Sequence, residues 1–468
     1  MVINSTTDIV NALVSKGVLT EEEGALLTKG RTDEAAGQAK ALKKASKLTV
    51  SDALDNATIY GNMRIREEFR SGTGNTATNA TADASRTRSR GKFELGVSTT
   101  AGNWYSDIAL ATGSDASARS DNFTFGGAST GASGAATTVT PGSGVNGFNP
   151  KESIFLKRAM LGWKATNWLS LEGGRMKNPL YTTQMMWDAD YTVSGLNEKF
   201  NYKINDNAEL FGVLGQWAHY KMDYTLTDNK TGGVAADAKT TGEIYAFQGG
   251  AKYIFNDRTS AKAAVTYYVY GSENGRGAFA SGLGGTTLLA NNATLKDQYG
   301  VNNLNIFEVP AELNYMITDS VGMRVYGDYA VNTDADARAL KAGITSNIDD
   351  TAWMLGLVVA SAKDLKSFEG AKAKKGDWQG NLWYQEIGLF AVDPSLGDSD
   401  IFDSRLNFKG VTFKGQYLFE DNVAFNLTAS HGSRLNSKFN TPYSAGADLS
   451  GLNLNKFDLI QLDLTYKF

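Results

Sequence analysis

The chain has 468 residues, with 46 lysines and arginines against 50 aspartates and glutamates, and a formal net charge of −4. So small a charge argues against nucleic acid as a partner. The absence of cysteine excludes a disulfide framework, a thiolate metal site and covalent attachment of haem. The two histidines, His219 and His431, lie far apart in the sequence, and no nucleophile motif or acid/base pair stands out. We therefore expect no metal site, no cofactor and no enzymatic activity.

Hydropathy and proline content narrow the class further. The sequence contains no run of about 18 apolar residues, the length that a membrane-spanning helix requires. A helical membrane protein is therefore excluded. Proline is scarce, with 6 residues, which suits long paired strands because each proline removes a hydrogen bond from the sheet.

The N-terminal region lacks strand character and is predicted to be helical. Thr7-Asp8 can cap a first helix, and Thr20 followed by Glu23 is the signature of a capping box that opens a second one. Residues 38–47 form a third, alanine- and lysine-rich stretch. We interpret residues 1–50 as a small helical extension on the periplasmic side of a membrane domain, either a plug or a tail. A helical appendage that self-associates or binds the cell wall is the alternative.

From Ala57 onward the sequence reads as strands whose connections alternate in length. Tight Asn- and Asp-rich turns such as Asn205-Asp206 and Asn256-Asp257 separate long polar loops, predicted at 72–85, 114–151, 178–194, 221–242, 273–302, 333–350, 392–404 and 434–456. The segment 363–377 departs from this pattern, because it is long and lysine-rich at a short-turn position. Short turns on one rim and long loops on the other are typical of outer-membrane barrels. We predict an all-β, antiparallel transmembrane barrel of about 16 strands over residues 57–468.

The last strand, residues 458–468, supports this interpretation. Its apolar residues alternate with polar ones up to the terminal Phe468, as a wall between lipid and a watery lumen requires. An outer-membrane protein must be exported, yet the short apolar stretch 9–14 lacks the basic region of a signal peptide. We therefore interpret the chain as a mature form, located in the bacterial outer membrane.

The first two strands place basic residues on the face opposite their apolar residues. On the apolar face of the first strand, Glu67 is the one charge out of phase. Basic side chains in contact with lipid cost about 2–4 kcal/mol each at the bilayer midplane, so this face is expected to line the lumen. The alternative is a solvated wall neutralised by Glu68, Glu94 and Asp107. The predicted pore-wall residues are Arg64, Arg66, Arg70, Arg86, Arg88, Arg90 and Lys92, with Arg175 on a later strand.

The loop 178–194 differs in composition from the other long loops. It carries Tyr181 and Trp187 with adjacent methionines, a set of side chains that favours burial. We expect it to fold into the lumen and to narrow it, so that Asp188 and Asp190 face the basic wall. Opposed charges across a narrow gap favour the passage of small polar solutes over apolar ones. Folding over the outer rim or onto a neighbouring subunit is the alternative.

Several motifs resemble the putative-porin family of Gram-negative outer membranes, which is similar in turn to the phosphate-selective porin O and P group. These motifs are Leu13 to Glu23, Gly174 to Pro179, Trp187 to Leu196, Lys375-Gly-Asp-Trp378 and the closing strands with Phe468. The resemblance implies a sixteen-stranded, trimeric diffusion channel. It also implies insertion by the barrel-assembly machinery, which would read Tyr466 and Phe468 in the last strand.

The expected function is passive diffusion of ions and small hydrophilic solutes, with outer-membrane lipid as the surroundings. Asp188 and Asp190 fit poorly with a dedicated phosphate site, so we predict a general or weakly selective porin. Conversion of Arg88 to Ala should then alter ion selectivity. The alternative function is a surface adhesin or envelope anchor on a plugged barrel.

Overall fold

The computed structural model describes residues 13–23, 54–76, 81–113, 118–126, 152–218, 243–271, 304–341, 345, 348–361, 374–441, 448–449 and 452–468. The chain divides into two compact units, one comprising residues 1–58 and 99–102, the other residues 59–98 and 103–468. The predicted helical stretch 38–47 and the predicted loops 221–242 and 273–302 lie outside the described residues.

In the first unit, the predicted capping box is present. The Glu23 amide donates a hydrogen bond to Thr20 Oγ1 over 3.2 Å, and the Thr20 amide donates to Glu23 Oε2 over 3.0 Å. These reciprocal bonds satisfy two amides that a helix start otherwise leaves without partners. The assignment of residues 1–50 to a periplasmic extension stays a prediction.

The second unit is built from strands, and residues 56–58 of the first strand and 99–101 of the second belong to the first unit. The bounds of all strands, in chain order, are β1 Asn56–Asn75, β2 Ala82–Ala101, β3 Trp104–Thr112, β4 Asn122–Thr124, β5 Ile154–Lys164, β6 Leu169–Lys177, β7 Thr192–Lys203, β8 Ala208–Ala218, β9 Glu243–Asn256, β10 Thr259–Gly271, β11 Asn305–Met316, β12 Gly322–Asn332, β13 Thr351–Ala360, β14 Trp378–Ile387, β15 Phe408–Glu420, β16 Val423–Arg434 and β17 Asn453–Lys467. A short helix, Ala335–Lys341, and a 3₁₀ turn, Phe402–Ser404, lie between strands. None of the helices in the described ranges is long and apolar enough to cross a membrane.

The strands close into an antiparallel barrel because the last strand pairs with the first, from Asn62 opposite Lys467 to Asn75 opposite Asn453. Strand β4 is a three-residue addition that pairs with β2, so the wall described here has sixteen strands and the predicted fold class is confirmed. Phe468 completes the seam, since its amide donates to the Gly61 carbonyl oxygen over 3.1 Å. Its ring lies so close to Gly61 that a Cβ there would come within 2.5 Å of it.

The two faces of the wall follow the period-two pattern of the sequence. Outward side chains such as Ile65, Phe69 and Leu464 are exposed, whereas the alternating Arg66, Glu68 and Arg70 are buried toward the lumen. This alternation places apolar groups against lipid and polar groups inside, as expected for an outer-membrane barrel.

The predicted connection 72–85 is shorter than expected, because β1 extends to Asn75 and β2 begins at Ala82. The glycine- and threonine-rich end of β1 is held in the sheet by β17, with Thr73 opposite Lys456 and Gly74 opposite Leu454. Pairing with a neighbouring strand thus outweighs the low intrinsic strand preference of these residues.

Candidate functional site: a narrowed, charged lumen

The segment 178–191, between β6 and β7, lies inside the barrel. Its Thr182 and Thr183 hydroxyls donate hydrogen bonds of 2.5 Å to Glu308 of β11 and Asp328 of β12, respectively. The Tyr181 amide donates to Gln248 Oε1 of β9 over 2.9 Å. Glu308, Asp328 and Gln248 are buried and point inward, so they fix the segment against the inner wall.

Trp187 anchors the middle of this segment. The indole is buried, and its Nε1 donates to the Tyr268 hydroxyl over 3.2 Å. The Tyr191 and Trp217 rings meet it edge to face, with centroids 5.4 and 5.7 Å away. Tyr181 packs instead on the wall, where Lys262 Nζ lies 4.0 Å from its ring centroid. The apolar residues of the segment are therefore packed inside the lumen, the first of the two arrangements that its composition suggested.

A second segment, residues 388–407 between β14 and β15, also folds inward. Sequence reasoning missed it, although its apolar start, Leu389 to Val392, is a signal for burial. Leu389, Phe390 and Phe402 are fully or almost fully buried. Positive φ angles of 52–56° occur at four residues of this segment, Phe402, Asp403, Ser404 and Asn407. Non-glycine residues keep this conformation only when their surroundings enforce it.

Buried contacts of Arg405 and Asp403 enforce that turn. The Arg405 guanidinium donates to the carbonyl oxygens of Thr441, Leu449 and Leu452 over 2.7–3.0 Å. Asp403 forms an ion pair with Arg70 of β1. The second inward segment is therefore fixed to the wall as firmly as the first.

The two inward segments bind each other through Asp188. Its amide donates to the Leu396 carbonyl oxygen over 2.6 Å, and its Oδ2 accepts from the Ser399 amide over 2.9 Å. The Asp398 amide donates to the Gln184 carbonyl oxygen over 3.0 Å. The second segment thus takes up the Asp188 carboxylate, and among the described residues Asp188 forms no ion pair with the predicted arginines or with Lys92.

Asp190 does meet the basic wall, and by direct contact. Its Oδ1 lies 2.6 Å from Lys92 Nζ and 3.5 Å from Lys157 Nζ. Burial would raise the pKa of Asp190, but Lys92 and Lys157 outweigh it and hold that pKa below its usual range. Burial raises the pKa of Asp188 well above its usual range, and Asp398 and Asp190 add to the rise. One carboxylate is thus held charged and the other is biased toward its neutral form.

The predicted arginines form one buried network with acidic side chains. Glu68, fully buried, lies 2.6 Å from Arg88, 3.4 Å from Arg70 and 3.8 Å from Arg90. Arg88 also contacts Asp448 at 2.5 Å. Most of these positive charges are therefore neutralised locally, and buried pairs of this kind are costly to break.

Arg66 connects the wall to the second inward segment. Its guanidinium donates to both oxygens of Asp463 over 2.7 and 2.9 Å and to Asp400 Oδ2 over 2.6 Å. Arg64 donates to Asn122 Oδ1 over 2.6 Å. Burial opposes ionisation of Asp400, but Arg66, Arg70 and neighbouring Arg90 hold its pKa well below the usual range.

Two further basic residues, Lys157 and Arg158 of β5, were missed. A register shift between Ala109 and Leu110 of β3 interrupts the pairing with β5 at this point. The side chains of Lys157 and Arg158 are therefore both buried, although the two residues are adjacent in the strand. Arg158 donates to Glu94 and Asp107 over 2.6 and 2.7 Å. Two consecutive charges within a strand are the signal that could have found them, since regular alternation sends one of them to the lipid.

Two of the predicted wall residues, Arg86 and Arg175, lie outside the buried part of this network. The Arg86 side chain is 44% exposed and contacts Asp448 at 2.9 Å. Arg175 donates to the Lys157 carbonyl oxygen over 3.0 Å and to Ser194 Oγ over 3.4 Å. Tyr466 and Phe468 are exposed on the outer wall, with ring centroids 5.9 Å apart.

A cavity of about 180 Å³ lies between the inward segments and the wall formed by β15, β16, β17, β1 and β2. The cavity is lined by five residues of the predicted site: Asp188, Asp190, Arg64, Arg66 and Lys92. Its charged lining residues are balanced: the basic ones are Arg64, Arg66, Lys92, Arg119, Lys414 and Lys467, and the acidic ones are Asp188, Asp190, Asp398, Asp400, Asp421 and Asp463. Between them the wall presents amides and hydroxyls, including Gln416, Asn426 and Thr428.

A closed barrel with an apolar outer wall and a charged, narrowed lumen is an outer-membrane channel. The sequence pattern of the putative-porin family matches residues 52–294, and the chain belongs to that family. It is therefore a diffusion channel of the bacterial outer membrane and not an enzyme. No curated protein matches the sequence.

Solved structures with a similar fold are outer-membrane channels of low sequence identity. The channel DcaP of Acinetobacter baumannii is 13% identical, with a TM-score of 0.43 over 89% of this chain and 99% of that one. OpdQ of Pseudomonas aeruginosa is 11% identical, with a TM-score of 0.41 over 89% and 99%. An anion-selective porin from Comamonas acidovorans is 9% identical, with a TM-score of 0.43 over 88% and 99%.

Proposed function

We propose that this protein is a general porin of weak charge selectivity, through which ions and small hydrophilic solutes diffuse along the wall from β15 to β2. The observation that carries the proposal is the nearly balanced lining of the cavity, with six basic and six acidic side chains, of which Asp188 is biased toward its neutral form. A lining of this kind favours neither sign of ion strongly. Its amides and hydroxyls can replace part of the water around a polar solute.

The constriction is assigned to the two inward segments, 178–191 and 388–407, acting together. Asp190 and Asp400 bring carboxylates of these segments to Lys92 and Arg66 of the wall, at 2.6 Å in both cases. Positive and negative groups then alternate around the passage. A polar solute finds partners on both sides, whereas an apolar solute must displace ordered water without compensation.

Assembly forms the second part of the proposal. We assign Tyr466 and Phe468 to recognition by the barrel-assembly machinery, because they end the strand that closes the barrel. The functional unit is proposed to be a homotrimer surrounded by outer-membrane lipid.

Single-channel recording in planar bilayers tests the proposal. Steady conductance in groups of three equal steps is expected, with a reversal potential near zero in a tenfold KCl gradient. A potential close to the Nernst value of either ion would refute weak selectivity. Folded, heat-modifiable protein without conductance would refute the porin function and favour an adhesin or anchor on a plugged barrel.

A further inference from the structure

Two acidic side chains meet on the inner wall, where the segment 178–191 packs against it. Glu308 of β11 is fully buried, and Asp328 of β12 is almost fully buried. Glu308 lies opposite Ala330, two residues from Asp328, and the two carboxyl groups are within hydrogen-bonding distance of each other. Two ionised carboxylates repel each other strongly in a buried site, so one of them must be neutral or the pair must have a positive partner.

No positive partner of this pair is present in the part of the chain that the structure describes. Neither carboxyl group forms an ion pair with a lysine or an arginine. The next charged side chains along the two strands, Glu312 and Arg324, pair with each other at 3.7 Å. Lys262 of β10 lies over the Tyr181 ring, with its Nζ 4.0 Å from the ring centroid.

The other side chains packed around the two acids carry no formal charge. Across the strands, Thr266 of β10 lies opposite Glu308, and Met354 of β13 lies opposite Asp328. The remaining neighbours are Gln248 of β9, Tyr268 of β10 and, from the inward segment, Thr182, Thr183 and Trp187. The pair therefore has hydroxyl and amide groups around it, and compensation of its charge is left to a proton.

Hydroxyl groups donate to three of the four carboxyl oxygens. Thr182 and Tyr268 each donate to one oxygen of Glu308 over 2.5 Å, and Thr183 donates to Asp328 Oδ2 over 2.5 Å. The fourth oxygen, Asp328 Oδ1, is buried and receives no hydrogen bond within the described residues. One proton on this oxygen would make it a donor to the neighbouring carboxylate, whereas a metal cation would need several such oxygens.

We propose that Glu308 and Asp328 share one proton, and that this proton keeps the segment 178–191 in the lumen, so that the constriction loosens as the pH rises. The inference rests on the proposed constriction and adds a means of regulation to it. With the proton in place, the pair carries one negative charge and accepts both threonine hydroxyls of the segment. When the proton is lost, the two carboxylates must separate or admit water to relieve their repulsion. Either change weakens the hold on Thr182 and Thr183.

Replacement of one carboxyl group by an amide tests the role of the proton. In single-channel recordings, the parent protein should close briefly about tenfold more often at about pH 9 than at about pH 5, a range above that in which ordinary carboxyl groups titrate. A tenfold change corresponds to the loss of about one hydrogen bond. Asp328→Asn places a permanent N–H donor where the shared proton lies, so its closures should change little with pH. Glu308→Gln, which supplies the donor from the other strand, should behave in the same way.

Glu172 of β6 provides a matched control. It is also a buried carboxyl group of the wall, but Lys199 Nζ lies 2.8 Å from it and compensates its charge. Glu172→Gln should keep the pH dependence of the parent protein. Closures that do not depend on pH in the parent, or a full dependence in both amide variants of the pair, would overturn this inference and leave the porin function standing. Absence of conductance at every pH would overturn the two together.

Infrared difference spectroscopy detects the shared proton directly and does not depend on conductance. A protonated carboxyl group has a carbonyl stretching band at a higher frequency than a carboxylate. The difference between the parent protein and Asp328→Asn at about pH 7, where an ordinary carboxyl group is ionised, should contain this band, and the band should disappear as the pH is raised. Its absence from folded, heat-modifiable protein would show that no proton is shared and would refute the proposal.

Discussion

Removal of the Asp400 charge should make the channel select for anions. Asp400→Asn keeps the shape of the side chain but takes one negative charge from a cavity lining that is otherwise balanced. At about 5 Å in water, a unit charge is worth about 0.8 kcal/mol to a passing ion. This energy corresponds to an approximately four-fold fall in cation-to-anion permeability.

The substitution is expected to leave the fold intact, because Arg66 retains both oxygens of Asp463 at 2.7 and 2.9 Å. The assay is the reversal potential of single channels in a KCl gradient. Asp206→Asn is the matched control, since Asp206 pairs with Lys203 on an exposed turn, with a side chain 96% exposed. If the two variants gave the same potential as the parent protein, Asp400 would not face the ion path.

Three further substitutions probe the lumen. Arg88→Ala removes a partner of the fully buried Glu68. The ion selectivity should shift toward cations, and the free energy of unfolding, measured in urea, should fall by about 3 kcal/mol. If neither quantity changed, the buried network would be contradicted. Thr183→Val removes the 2.5 Å bond to Asp328 and should increase current fluctuations, whereas Thr183→Ser should not. Because the pKa of Asp188 is raised in the fold, its stabilising effect is present at low pH and decreases as pH rises through that pKa. Asp188→Asn should therefore reduce the loss of thermal stability as the pH rises above the ordinary pKa of an aspartate, and an identical loss in both proteins would refute this assignment.

The sequence predicted correctly which residues of the barrel wall face outward and which face the lumen, because apolar and polar residues alternate along each strand. Alternation assigned Ile65, Phe69 and Leu464 to the outer face and Arg66 and Arg70 to the lumen, and the structure agrees. The number of strands was predicted by counting the segments between tight turns and long loops. Turns can be recognised in the sequence because turn residues are selected by local backbone geometry.

The interior was harder to predict because it depends on contacts between distant segments. Composition identified Trp187 as a residue that favours burial, yet nothing in the sequence showed that Asp188 would bind the Ser399 amide. Nor did it show that Asp400 and Asp463 would neutralise Arg66. Such pairs join residues separated by more than 200 positions, and period-two reasoning carries no information about them.

The seam between the first and last strands has a consequence for biogenesis. Arg66 and Asp463 meet across it, and both line the cavity. The passage therefore acquires one of its walls only when β17 docks on β1. Before β17 docks, the barrel has neither a sealed wall nor the carboxylate of Asp463 beside Arg66, so pore formation and closure of the barrel are the same event.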